Sequence, residues 1–260
     1  MNWHLGTMGF GYKQWVGPFY PAGMQPRSYL AHYSQFFDAV EIDSTFYGTP
    51  TPDKVKRWAT ATPPTFTFCL KTPRAITHDA PLSRGAAAME DFIAVAALLG
   101  DKLGPILIQF GPEYTAAYTQ EVESFLKQLP TDKRFAMEFR HRSWAREGTA
   151  VLLRKYNICW VAADYIYLPK IITRTTDFLY LRFIGPHGQY ATKDRELVDK
   201  TADLQNWHSQ IQGQGDGVTA VYGFFNNDYS GHSPTTCNRF KGIVGLDKGE
   251  IRPYQQRRLF

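Results

Sequence analysis

Phe135-Ala136-Met137-Glu138-Phe139-Arg140 is the stretch on which the fold turns. It is a short apolar run that carries a carboxylate and ends on a guanidinium. Read as a strand, it puts Glu138 and Arg140 on the same side, two residues apart. A carboxylate inside such a run is costly unless it is paired. Arg140, Lys71 and Arg182 are the candidate partners. Seven more strand-like runs begin near Trp3, Ala39, Phe66, Pro105, Ile158, Phe178 and Thr219. The eight starts lie 36, 27, 39, 30, 23, 20 and 41 residues apart. Intervals of that size suit βα units.

Helical periodicity fills most of the intervals. Tyr29, Leu30, Tyr33, Phe36 and Phe37 share one face. Thr51-Pro52 supplies a cap residue followed by proline in the first turn, with Val55 and Trp58 behind it. Further helices are expected over Glu90–Leu99, around Val122 to Leu129, over Ala150 to Tyr156, and along Leu197, Leu204, Trp207 and Ile211. Between Asp164 and Asp177 no helix is expected. The pattern predicts an α/β fold, a (β/α)8 TIM-like barrel irregular between strands 6 and 7, as a single domain over residues 1–260. A doubly wound open sheet is the alternative. Gly6, Gly9 and Gly11 do not form a GxGxxG loop, and no helix follows them at once, so a dinucleotide fold is disfavoured.

Composition bounds the rest. The chain has 260 residues, 43% apolar and 20% charged, which excludes a disordered or disulfide-built chain. Aromatic residues reach 15%, with 18 Phe, 15 Tyr and 6 Trp. Most sit at core spacing. Phe10, Tyr12, Trp15, Tyr20, Tyr47 and Trp144 fall near expected strand ends, where they are expected to wall a pocket. The formal charge of +5 favours an anionic partner, phosphate or nucleic acid, over a cationic one. Gln255-Gln256-Arg257-Arg258 is the densest basic run and is short. Three scattered cysteines, with no CxxC pair, suggest reduced buried thiols and a cytoplasmic protein. No signal peptide and no membrane span are expected.

Polar residues close seven of the eight runs, and barrel enzymes gather their sites at C-terminal strand ends. The expected catalytic candidates are Glu41, Lys71, Glu138 and Asp164. Paired carboxylates can divide acid and base roles when their surroundings separate them. Tyr12, Tyr47, His78, Gln109, Arg140, Arg182 and Asn226 are the expected ligand-binding residues. The loops Gly185-Pro186-His187-Gly188 and Asn226 to His232 offer turn chemistry that suits a phosphate. A buried ion-pair network at the barrel mouth would use the same residues. No HxH or HExxH spacing occurs, so no metal and no cofactor are expected. No GxSxG elbow occurs either.

Longer motifs carry a family resemblance. Gly6-Thr7-Met8-Gly9-Phe10-Gly11-Tyr12, with Trp15, Gly17 and Phe19-Tyr20-Pro21, resembles the opening of the YecE-like family, built on domain of unknown function 72. Phe37 to Tyr47, Phe66 to Lys71 with Thr77-His78, Leu107 to Phe110, Glu138 to Trp144, Phe178 to Gly185, and Tyr222 to His232 are similar to its later motifs. The resemblance spans nearly the whole chain. It implies a TIM-barrel-like fold, related in shape to sugar-isomerase and metal-dependent endonuclease barrels, and no established reaction. It implies pocket roles for Glu41, Tyr47, Lys71, His78, Gln109, Glu138, Arg140, Asp164, Arg182 and Asn226. Met8, Phe10, Asp43, Gly111-Pro112 and the stretch 184–188 depart from the family pattern, which bears on ligand specificity.

The expected function is binding or transformation of a small anionic or polar ligand in a pocket on the C-terminal face. The alternatives are a metal-dependent phosphodiesterase or nuclease, and a non-catalytic binding protein.

Overall fold

The computed structural model describes residues 1–79, 82 and 85–247. The basic run at 255–258 and the end of the expected 1–260 domain lie outside them. Among the described residues nine strands run in parallel: β1 Asn2–Met8, β2 Ala39–Ile42, β3 Thr67–Leu70, β4 Ile106–Phe110, β5 Phe135–Phe139, β6 Cys159–Trp160, β7 Ala162–Asp164, β8 Phe178–Phe183 and β9 Ala220–Phe225. Helices α1 Tyr29–Tyr33, α2 Pro52–Thr60, α3 Arg74–Thr77, α4 Gly85–Ala96, α5 Thr119–Leu126, α6 Glu147–Lys155, α7 Thr201–Gln212, α8 Asn227–Ser230 and α9 Ser233–Ile243 lie between or after them.

The strands form a six-stranded sheet, β3-β2-β1-β9-β8-β7, and a three-stranded one, β4-β5-β6. The arrangement is TIM-barrel-like, but its ladder has two seams. The sixth expected strand breaks at Val161, so β6 pairs with β5 while β7 pairs with β8. Between β3 and β4 only isolated bridges form, where Gly104 N donates to Phe68 O at 2.8 Å and Thr72 N to Leu107 O at 2.9 Å. No helix joins β7 to β8, as the β-branched run around Ile171 suggests.

Alternation along each strand separates two cores. Ala39, Cys69, Ala136, Cys159, Ala163 and Ala220 pack with Tyr180, Tyr222 and Phe224 in one buried cluster. The complementary residues Leu5, Val40, Phe68, Ile108, Leu181 and Phe225 pack in the larger cluster with helical side chains such as Leu30, Val55, Leu153, Trp207 and Phe240. Small and large residues alternate in the inner cluster, which fills the tapering interior. Gly6 shows how closely these parts meet. A Cβ there would lie 1.8 Å from Ala39 O.

Local rules set the helix starts. Thr51 Oγ1 accepts from Lys54 N at 3.3 Å and Pro52 opens α2, as the sequence predicts. α7 begins at Thr201, so Leu197 lies outside it, and α9 has no counterpart in the sequence reading. The expected aromatic pocket wall is corrected. Trp15 and Tyr20 are fully buried in the larger core, and Phe10 and Tyr12 pack against it. Trp144 stacks on Phe139 with ring centroids 4.0 Å apart. Large flat rings gain more from core burial than from a wet rim. Of the six, Tyr47 alone borders the mouth cavity.

Candidate functional site

Eight strand ends feed one cavity of about 520 Å³. Met8 closes β1, Asp43 follows β2, Lys71 follows β3 and Gln109 lies near the end of β4. Arg140 follows β5, Tyr165 follows β7, Arg182 lies near the end of β8 and Asn226 follows β9. Strand register sets the inner neighbours: Gln109 is level with Glu138, Met8 with Glu41, and Ala163 with Arg182.

Beneath the cavity sits a buried ion network. Arg182 grips Glu41 bidentately, Nε to Oε2 at 3.0 Å and Nη2 to Oε1 at 2.8 Å. Its Nη1 donates to Glu138 Oε2 at 2.7 Å. Arg140 Nε donates to the other Glu138 oxygen. Tyr180 OH donates to Glu41 Oε2 at 2.8 Å. Gln109 Oε1 lies 3.4 Å from Arg182 Nη1 and 3.5 Å from Arg140 Nη2. A planar fork suits such bidentate pairing, which an ammonium could not reproduce. Burial opposes the charge on Glu138, but Arg140 and Arg182 outweigh it and hold the carboxyl down to about 2. Both glutamates therefore serve the guanidiniums and hold them in place.

Lys71 stands apart from this network. Its side chain is buried, and Nζ lies 3.9 Å from the centre of the Phe46 ring. Among the described residues no carboxylate oxygen lies within 4.0 Å of it. Burial, then the Arg182 charge, push its pKa down to about 8 against the pull of Glu138 and Glu41. Asp43 borders the same cavity, and burial followed by Glu41 raises its carboxyl. His78 meets Phe46 edge-on at 5.0 Å, and burial lowers its imidazole. The cavity thus joins an ammonium with no carboxylate partner among the described residues, two guanidiniums, a carboxyl with raised proton affinity and an imidazole with lowered proton affinity.

The structure brings Lys71, Tyr47, His78, Gln109, Arg140, Arg182 and Asn226 to the cavity wall. Glu41 and Glu138 lie beneath it, behind the guanidiniums. Tyr12 is spent on a hydrogen bond to Met8 O at 2.8 Å. Asp164 does not join the group. Its Oδ2 accepts from Trp207 Nε1 at 2.8 Å and Tyr229 OH at 2.9 Å, and its Oδ1 meets Lys170 Nζ at 2.6 Å. Ala163 faces the interior, so its neighbour must face the helices.

Several wall residues were not predicted. Phe46, Tyr165 and Tyr167 reach the cavity from turns and loops, where no periodicity announces direction, and His187 comes from the loop read as suited to a phosphate. Tyr165 lies under Arg140, whose guanidinium carbon is 4.4 Å from the ring centre. The pair Arg140-Tyr165 had no sequence signal. Asp43 did have one, its two-residue spacing from Glu41.

The comparisons with known proteins agree with this architecture. The model of a family described as "Protein of unknown function DUF72" matches residues 4–258. YecE of Escherichia coli K12 is 29% identical over 119 residues, which span 46% of this chain and 44% of YecE. YunF of Bacillus subtilis 168 is 27% identical over 283 residues, 97% of this chain and 98% of YunF. The solved structure of a DUF72 family protein from Thermotoga maritima MSB8 superposes with a TM-score of 0.76 at 26% identity, covering 94% of this chain and 99% of that one. On the family match, the motifs and the shared fold, the chain belongs to the DUF72 family.

Proposed function

We propose that the mouth cavity binds a small anionic or polar ligand, and that the parallel strands act as one (β/α)8 barrel domain presenting it. One observation carries this reading: Lys71 is buried beside a cavity of about 520 Å³, and no carboxylate among the described residues neutralises it. A buried ammonium without a counter-ion is unfavourable, and an anionic ligand would supply one. Arg140, also on the wall, adds a second cation. Gln109 and Asn226 offer amides for orientation, and Phe46, Tyr165 and Tyr167 offer faces that exclude water.

Catalytic roles follow the same charges. With Glu41 and Glu138 engaged by Arg182 and Arg140, proton transfer falls to Lys71, Asp43 and His78, whose surroundings favour their neutral forms. The two glutamates act as positioning residues. The test is a thermal-shift titration with inorganic phosphate, a sugar phosphate and a neutral sugar, on the full chain and on Lys71→Met. Phosphate-bearing ligands should raise the melting temperature of the parent and not of the variant. Equal shifts in both proteins, or none in either, would refute this reading.

A further inference from the structure

Lys71 is fixed more tightly than attraction of an anion requires. Its N–H donates to Ile42 O at 3.2 Å, and its carbonyl accepts from Thr45 Oγ1 at 2.6 Å. The next residue, Thr72, bonds through its N–H to Leu107 O at 2.9 Å. The strand end is therefore pinned on both flanks. The side-chain stem is buried, and the amine rests on the Phe46 ring in the cavity wall. The groups that face it are Glu41 and Asp43 from β2 and its following turn, His78 beyond α3, Glu138 and Arg140 from β5 and its end, and Arg182 from β8. The glutamates already have guanidinium partners, so the positive charges crowd the amine without a dedicated counter-charge. An amine in such a place is a nucleophile, which an arginine there would not be.

We propose that Lys71 forms an imine with a small aldehyde or ketone that also carries an anionic group. The proposal rests on the anion-binding reading above. Arg140 would hold the anionic end and Lys71 Nζ would meet the carbonyl carbon. The nitrogen lone pair forms the C–N bond, the carbonyl π pair moves to oxygen, and one proton passes from nitrogen to that oxygen. In the second step the Asp43 carboxyl, raised by burial and Glu41, gives a proton to the hydroxyl and the C–O bond breaks. Water leaves, the nitrogen lone pair completes C=N, and the remaining nitrogen proton returns to the donor. The net change is amine plus carbonyl to imine plus water.

The depressed affinity of Lys71 for its proton serves the same chemistry. With a pKa of about 8, it holds roughly 200-fold more neutral amine at about pH 7.5 than an ordinary exposed lysine.

The experiment incubates the full chain with pyruvate and cyanoborohydride, which reduces any imine to a stable carboxyethyl-lysine, and maps the adduct by peptide mass spectrometry. Lys71 should label at least about tenfold faster than the exposed Lys13 and Lys54, the lower bound allowing for the weaker nucleophilicity of a less basic amine. Inorganic phosphate should slow labelling at Lys71 and leave Lys13 and Lys54 unchanged. Lys71→Arg should lose that adduct, because a guanidinium forms no imine with the ketone. Labelling of Lys71 no faster than Lys13, with the phosphate shift intact, would overturn the imine and leave the anion site standing. Absence of both would overturn both readings. The exposed lysines of the unsubstituted protein are the internal reference, so the result stands even if a variant fails to fold.

Discussion

Replacing Arg182 with methionine tests the buried network most directly. The side chain is 5% exposed and makes three charge-assisted bonds of 2.7, 2.8 and 3.0 Å to two carboxylates. Methionine fills much of the same volume, so the change is mainly one of charge. Glu138 keeps Arg140 as a partner, whereas among the described residues Glu41 keeps only the Tyr180 hydroxyl. Stranding one member of a buried pair costs about 3–5 kcal/mol, and most of that should fall on Glu41. Domains of this kind have about 5–15 kcal/mol in total, so the variant should fold marginally. Urea unfolding followed by tryptophan fluorescence at pH 7 measures the loss. Adding Glu41→Gln to the variant should recover about 2 kcal/mol. A loss below about 1 kcal/mol, or no recovery in the double variant, would refute the reasoning.

Four further outcomes are expected. Lys71→Met should stabilise the fold at pH 7 by at most about 3 kcal/mol, because a lysine held at about 8 against an ordinary 10.5 is disfavoured whenever both states are protonated. That gain should vanish as pH rises from 8 towards 10.5, and a lower melting temperature for the variant at pH 7 would contradict it. Glu138 is held at about 2, so it contributes roughly 3 kcal/mol above pH 4.5 that is lost as pH falls towards 2; the acid-unfolding curve of Glu138→Gln should lack that slope. Asp164→Ala should cost about 2–4 kcal/mol by orphaning Trp207 Nε1 and Tyr229 OH, while phosphate binding measured by calorimetry stays unchanged. Gly6→Ala should abolish folding, seen as loss of soluble protein and of near-ultraviolet dichroism, since its Cβ would overlap the Ala39 carbonyl.

The sequence-legible part of this molecule is the part governed by short-range rules. The Thr51-Pro52 cap, the parallel strand runs and the pairing demand of Glu138 all follow from neighbours within a few residues. Asp164 shows where such rules fail. Its position at a strand end invites a functional reading, yet one step of alternation turns it towards Trp207 rather than the cavity. The break at Val161 is equally silent, because an apolar residue there fits a continuous strand and an interrupted one alike. Tyr165 and His187 reach the site through loops whose paths depend on packing against distant elements. Long-range burial also reassigned the opening aromatics: Trp15 Nε1 bonds Asn227 Oδ1 at 3.1 Å, across 212 residues of chain.

The two seams give the Arg182 network a mechanical meaning. Arg182 belongs to the six-stranded sheet, whereas Glu138 and Gln109 belong to the three-stranded one. Lys71 and Arg140 straddle the same division. Amide hydrogen exchange should therefore resolve β4-β5-β6 as a cooperative unit that opens at lower cost than the six-stranded sheet. A ligand spanning Lys71 and Arg140 would act as a clasp between the units and bring their exchange rates together. Occupancy of the mouth would then be legible far from it, in the protection of strands that never touch the ligand.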